Sequence, residues 1–259
     1  MSGRPTVIVQ LSDPHIGATW ARGDPVAGLT TAVASIRRLR PAPDALVLTG
    51  DLADTLADSE YAQVLSSLES IDAPCYAIPG NHDGRDALRR HFGIPGGPGT
   101  PVQYAVELGA IRILMLDSTR PGADDGELDA GRLAWLEDAL AGDPRTPTVI
   151  AMHHPPLLSH APGLDRLGLA SDDRVALGDV IRRHPNVTLI IAGHVHRAIA
   201  GEIAGRRVLS APSTYVGFAL DFVAEQIDDV PAPPGYVVHV FRGGELASHV
   251  HVVSASPCV

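Results

Sequence analysis

Five short apolar runs, residues 7–11, 45–49, 75–78, 148–152 and 187–192, each end in a compact polar cluster. Runs this short and this rich in Val, Ile and Leu, alternating with stretches of helical period, predict strands of a largely parallel sheet covered on both faces. Between the first two, Val26, Leu29, Val33, Ile36 and Leu39 recur at helical spacing. Asp24-Pro25 supplies a cap with proline at the first helical position. Arg37, Arg38 and Arg40 suit the last turn, and Pro41 and Pro43 stop the helix. Tyr61, Val64, Leu65, Leu68 and Ile71 mark the inner face of a second helix that begins near Asp58. Strand, helix, strand in this order predicts right-handed crossovers. Residues 102–108 and 111–117, around Gly109-Ala110, predict a hairpin. Helices follow at about 128–140 and 172–184, the second preceded by a loop at 160–169. The Gly- and Pro-rich stretch 92–101 reads as a mobile loop, and residues 207–210, 236–242 and 246–253 as antiparallel strands. No repeat, low-complexity tract or linker divides the chain, so one α/β domain over 1–259 is expected.

Charge narrows the partners. The 259 residues carry a formal net charge of −10, which disfavours a nucleic-acid polymer, whose phosphates demand many Lys and Arg. Cys75 lies in an apolar run and Cys258 is next to last, with no paired spacing. A disulfide scaffold is not indicated, and a reducing cytoplasm is the expected compartment. The first strand opens at about Thr6, leaving no room ahead of it for a signal peptide, and no apolar stretch reaches membrane-spanning length.

The clusters carry the chemistry. They are Asp13-Pro14-His15, Gly50-Asp51-Leu52-Ala53-Asp54, Gly80-Asn81-His82-Asp83, His153-His154-Pro155 and Gly193-His194-Val195-His196. Loops beyond the carboxyl ends of parallel strands share one edge, so clusters far apart in sequence meet there. Asp13 and His15 alternate across one residue and, on extended backbone, face one cation together. His194 and His196 repeat that arrangement, and two imidazoles so close repel when protonated. Asp51 has two oxygens that can bridge two cations. Asn81 adds a neutral amide oxygen after a glycine that permits a sharp turn. A single such histidine is most often satisfied by core hydrogen bonds. Six of twelve histidines gathered at strand ends point instead to a two-metal hydrolase.

Taken in order, the clusters resemble the calcineurin-like metallophosphoesterase family, whose pattern is Asp-x-His, Gly-Asp-x-x-Asp, Gly-Asn-His-(Asp/Glu), a His before a proline pair, and Gly-His-x-His. All five are present without substitution from Asp13 to His196, about three quarters of the chain. The resemblance implies a four-layer α-β-β-α sandwich, two facing sheets flanked by helices with a dinuclear centre at one edge. It implies Asp13, His15 and His196 on one metal, Asn81, His153 and His194 on the other, and Asp51 bridging them. Nitrogen and oxygen ligands without thiolate fit two divalent ions, Mn or Fe first, with Zn, Co or Ni compatible. Cations about 3.5–4 Å apart share and acidify a water, and the resulting hydroxide attacks phosphorus in line. His82 is then the acid that protonates the leaving alkoxide, and Asp54 the carboxylate that fixes its tautomer. Asn81, His82 and His154 are the substrate contacts, His154 alternatively a packing residue, and Asp83 supports the loop.

Asp-Pro-His-Ile-Gly, Gly-Asn-His-Asp, Met-His-His-Pro-Pro and Gly-His-Val-His are most similar to the bacterial class III cyclic nucleotide phosphodiesterases. So, more softly, are residues 210–214, 218–221 and 234–236. The implied substrate is a small phosphodiester, a 3′,5′-cyclic nucleotide such as cAMP. Glycerophosphodiesters, or a broad set of phosphodiesters and phosphomonoesters, are the alternative, and a homodimer is the assembly common among similar proteins. A non-catalytic binding module is the other class of reading, but no ligand of the pattern is missing. Trp20, Arg22, His160 and Phe218 sit in loops that can line a pocket, where an aromatic ring can stack on a base. Ordinary loop packing accounts for each equally well, and none is assigned to the site.

Overall fold

The computed structural model describes residues 4–254. The first part of the chain alternates β1 (Thr6–Leu11), α1 (Pro25–Ile36), β2 (Ala45–Leu48), α2 (Asp58–Leu68), β3 (Cys75–Ala77) and α3 (Arg85–Phe92). A hairpin, β4 (Tyr104–Leu108) and β5 (Ile111–Met115), leads to α4 (Ala130–Gly142), β6 (Thr148–Ala151), α5 (Pro162–Arg166), α6 (Ser171–Arg183) and β7 (Val187–Ala192). Six further strands complete the chain: β8 (Ala200–Ile203), β9 (Arg206–Ser210), β10 (Gly217–Phe218), β11 (Asp229–Val230), β12 (Gly235–Arg242) and β13 (Glu245–Val252).

The apolar runs belong to two mixed sheets rather than one largely parallel sheet. The first has the order β13-β12-β1-β2-β3 and the second β4-β5-β6-β7-β9-β8. Alternate residues of each run face different neighbours. Val7, Val9 and Leu11 pack under the first three helices, while Ile8 joins Val47, Val149 and Ile191 between the sheets. Ile150, Met152 and Ile190 meet α4 and α6 on the far side. Both faces of each strand are therefore buried, so the runs are continuously apolar, each Val, Ile or Leu contributing about 1.5–3 kcal/mol. Four layers result, α-β-β-α.

Several elements depart from expectation. α1 stops at Ile36, and Leu39 N–H bonds back to Ile36 O in a tighter turn. α3 lies between the third cluster and the glycine-rich stretch, ending on left-handed Gly93. Its Arg-Asp-Ala-Leu-Arg-Arg-His-Phe sequence is too polar to signal a helix by period alone. α5 occupies part of the expected 160–169 loop. Residues 206–210 pair antiparallel with β8 but parallel with β7, a correction to the all-antiparallel reading. The expected strand beyond β12 is β13, running from Glu245 to Val252.

A pair of polar residues, Gln10 and His239, interrupts the apolar layer between the sheets. Gln10 on β1 donates to Ala192 O at the end of β7 and to Thr49 Oγ1, and its Oε1 meets His239 Nε2. It joins the two sheets just behind the edge where the clusters converge.

Candidate metal centre

Each cluster follows the carboxyl end of a strand. Asp13 and His15 follow β1, Asp51 and Asp54 β2, and Asn81 and His82 β3, all from the first sheet. His153 and His154 follow β6, and His194 and His196 follow β7, from the second. The backbone at these ends is not extended, as the alternating spacing suggested. Asp13, His15, Asp51, His194 and His196 all have left-handed φ, between 44° and 70°. Each conformation costs on the order of 1 kcal/mol or more and persists because neighbours over-determine it. Asp13 N–H bonds to Gly50 O and His15 N–H to Asp51 O, while His194 N–H bonds to both oxygens of Asp13. Thus i and i+2 side chains converge through a tight turn. Gly80 serves close approach rather than a left-handed turn, because a Cβ there would lie 2.2 Å from Asp51 Oδ1. At Gly193 a Cβ would lie 2.0 Å from Ser12 Oγ.

Hydrogen bonds around the ring fix which nitrogens face inward. His153 Nδ1 sits 2.7 Å from Thr49 O, His196 Nδ1 3.0 Å from Val216 O, and His194 Nε2 3.0 Å from Leu167 O. A carbonyl only accepts, so each of those nitrogens carries the proton. His15 Nδ1 likewise donates to Asp54 Oδ1 at 3.0 Å. The opposite nitrogens are left as bare acceptors, and they face one another. His15 Nε2 and His196 Nε2 are 3.1 Å apart, and His153 Nε2 and His194 Nδ1 3.2 Å apart. Asn81 Oδ1 lies 3.0 Å from the one and 3.1 Å from the other of that second pair. Asp51 Oδ2 stands 3.5 Å from His15 Nε2 and 3.4 Å from His153 Nε2, between the two groups. Acceptors aimed at acceptors in a buried space repel unless a cation lies among them. The donor set therefore fits metal ions, and Asp13, His15, Asp51 and His196 have ligand atoms all within 4.8 Å of one another.

The charges support the same reading. Burial opposes ionisation of Asp51, yet His153, His15 and His82 hold its carboxyl well below the usual range. Burial also opposes charge on His153, but Asp51 and Asp13 favour a positive charge there and raise it to about 9, so its Nε2 is a bare acceptor only where a metal takes the place of that proton. Burial, with Asp51 beside it, pushes Asp13 up to about 6 against the pull of His153. His194 and His196 stay neutral well below the ordinary imidazole range, first through burial and then through neighbouring histidines.

His82 and Asp54 form a second tier. His82 is partly exposed, and its Nδ1 lies 3.2 Å from Asp54 Oδ1. The same oxygen accepts from Trp20 Nε1 at 3.0 Å. Asp83 accepts from the N–H groups of Gly80, Leu52 and Ala53, bracing the loop. His154, expected as a substrate contact or a packing residue, is not on the lining of the cavity over the site. It is wholly buried, with Nδ1 on Ser118 Oγ at 2.9 Å and Nε2 on Asp124 O at 3.2 Å, and burial first among causes depresses it to about 3. Both ring nitrogens are spent holding the segment behind His153.

A cavity of 290 Å³ opens over this floor. His15, Asp51, Asn81, His82, His194 and His196 line it together with Trp20, Leu164, Leu167, Phe218 and Ile227. Asp124 and Asp229, both exposed, complete the lining. Trp20 and Phe218 are thus wall residues, whereas Arg22 and His160 lie outside the lining. Phe218 stacks on His196 with centroids 4.1 Å apart and planes at 13°. Leu164, Leu167, Ile227 and the two carboxylates escaped sequence reasoning, because nothing in a local pattern says which surface loop folds over a strand edge.

A family model described as calcineurin-like phosphoesterase matches residues 6–198. The chain is 30% identical over 250 residues to the 3′,5′-cyclic adenosine monophosphate phosphodiesterase CpdA of Escherichia coli (strain K12), covering 94% of this chain and 88% of that protein. It is 31% identical over 255 residues to a probable glycerophosphodiester phosphodiesterase, GpdQ, of Arcobacter nitrofigilis, covering 95% and 93%. In structure it is similar to a dimetal phosphatase from Danio rerio, with a TM-score of 0.66 at 15% identity over 96% of this chain and 99% of that one. That last likeness is one of fold.

Proposed function

The chain belongs to the calcineurin-like phosphoesterase family, and on that premise we propose that it is a dinuclear-metal phosphodiesterase opening 3′,5′-cyclic nucleotides, cAMP foremost, to 5′-monophosphates. Seven acceptor side chains in two adjoining groups with Asp51 between them, the histidines' outer nitrogens already committed, carry this reading. Asp13, His15 and His196 hold one cation, Asn81, His153 and His194 the other, and Asp51 lies between. Mn and Fe are the first candidates for a thiolate-free set, with Zn, Co and Ni compatible. Bound there, two divalent cations acidify water and neutralise phosphoryl oxygens.

The protein's own groups do the rest. Asp54 holds the Nδ1 proton of His82, which leaves Nε2 toward the cavity to protonate the departing alkoxide. The Asn81 amide and the His82 imidazole, both on the cavity lining, position the phosphate. Trp20 and Phe218 give the cavity wall beside His15 and His196 an aromatic character suited to the flat face of a base. A small glycerol leaving group makes less use of that wall, although a glycerophosphodiesterase relative is as similar as the cyclic nucleotide one. Turnover of cAMP, glycerophosphocholine and p-nitrophenyl phosphate by metal-loaded protein separates these readings, with cAMP expected to be preferred. If bis(p-nitrophenyl) phosphate is cleaved while cAMP is untouched, the substrate assignment fails and the chemistry stands. If a protein holding two metals cleaves no phosphodiester, the whole reading fails.

A further inference from the structure

Away from the ligand cluster, the two sheets part around a cleft of 660 Å³, more than twice the 290 Å³ of the site cavity. It lies at the start of β7 and β9, the opposite strand ends from those that carry the histidines. Arg206 and Arg207 from β9 and Arg242 from the end of β12 line it. Three guanidiniums thus share one concavity in a chain of net charge −10.

Elsewhere some arginines meet carboxylates, Arg85 with Asp117, Arg132 with Glu127 and Asp129, and Arg183 with Glu137, and others, such as Arg112 and Arg197, bond to carbonyls. Among the described residues, the three in the cleft have no ion pair. Glu245, the one carboxylate on the lining, stands opposite Arg242 in the hairpin register without closing a salt bridge. The hydrogen bonds these arginines make go to neutral carbonyls, Arg207 Nη2 to Leu246 O at 3.1 Å and Arg206 Nη1 to Gly205 O at 3.5 Å. Arg206 Nε is buried with no acceptor. An anion seated in the cleft meets guanidinium groups that no carboxylate of the chain already holds.

We infer that this cleft binds a small phosphate-bearing molecule. Guanidinium forks match phosphate oxygens two at a time, better than any other side chain. Val187, Val240 and Leu246 add apolar surface that covers an attached organic group. The volume falls in the range of small-molecule sites, roughly 300–1,000 Å³. Three cations around one concavity make no extended basic face, so a polynucleotide or membrane surface matches less well.

Isothermal titration of the metal-loaded full chain with AMP, and separately with inorganic phosphate, counts the sites. Two classes of site are expected in the parent. One of them weakens about tenfold or more in Arg206→Gln and in Arg242→Glu, the loss of a charge-assisted hydrogen bond. Hydrolysis of bis(p-nitrophenyl) phosphate keeps the parent rate in both variants. Arg242 is exposed at a strand end, so Arg242→Glu preserves the test should Arg206→Gln fold poorly. A second class of site for either probe, weakened in the variants, supports the proposal, and one seen with AMP but not inorganic phosphate adds the organic group to its specificity. A single class of site, displaced by bis(p-nitrophenyl) phosphate and unchanged in both variants, overturns it. Binding to phosphatidylserine vesicles with neither free probe bound overturns it as well.

Discussion

Asp54 Oδ1 accepts from His15 Nδ1 at 3.0 Å and Trp20 Nε1 at 3.0 Å, and His82 Nδ1 lies 3.2 Å from the same oxygen. In the proposed assignment one oxygen thus serves a metal ligand, an acid and a wall of the cavity, with His15 and Trp20 reaching it from the loop after β1 and His82 from the loop after β3. The two proton-handling residues separate by what they lose. His82→Ala removes the acid but no ligand atom, so it is expected to keep both metals while turnover falls about 10²–10⁴-fold. Metal analysis beside the rate checks this, and turnover equal to the parent's removes His82 from the acid role. Asp54→Asn weakens the hold on His15 as well, so metal affinity and activity are expected to fall together, by about 10–100-fold. A variant that lost rate yet bound metal as tightly as the parent would show that Asp54 acts on His82 alone.

Strands β1, β2, β6 and β7 are legible because both their faces are covered, and continuous Val, Ile and Leu follow from that. The clusters are legible because metals demand particular donor atoms. Less visible are the sheet to which each run belongs and the turn that aims each ligand. Left-handed Asp13, His15, Asp51, His194 and His196 answer to contacts between loops, such as Asp13 with the His194 N–H, and although Asp and His enter that region more readily than most residues, no local pattern says which of them will. Gln10 shows the same limit at the level of elements. In sequence it is one polar residue inside an apolar run, yet it ties β1 to Ala192 O of β7 and to Thr49, whose carbonyl holds His153 Nδ1. Gln10→Leu keeps the volume, removes those bonds and strands His239 Nε2. It is expected to lower stability by about 1–3 kcal/mol, read from the urea midpoint, and an unchanged midpoint would mean that apolar packing alone joins the sheets.

Acid and chelation act on the molecule as a whole. His239, between the sheets, is kept neutral by burial, with His249 adding to it, so its imidazole titrates at about 3. The unfolded chain takes up that proton near 6.5. Stability from this group is therefore complete above about pH 6.5 and lost as pH falls toward about 3, at about 1.4 kcal/mol per pH unit. The urea midpoint of the parent is expected to fall more steeply below pH 6.5 than that of His239→Gln, and equal slopes would place the proton uptake elsewhere. Metals act through the same seam. Asp13, His15, Asp51 and Asn81 come from the first sheet, and His153, His194 and His196 from the second. In the proposed assignment each cation takes ligands from both, so it clamps the sheets together at the edge where strained turns and facing acceptors would otherwise push them apart. Ligand linkage gives about 4 kcal/mol for a site at a thousandfold its Kd. Chelation is accordingly expected to lower Tm by several degrees, reversibly on restoring the metal. Asp13→Ala and His196→Ala, on opposite sheets, are expected to give similar losses, because either severs the same clamp. A Tm indifferent to complete metal removal would leave the centre chemically useful but mechanically separate from the fold.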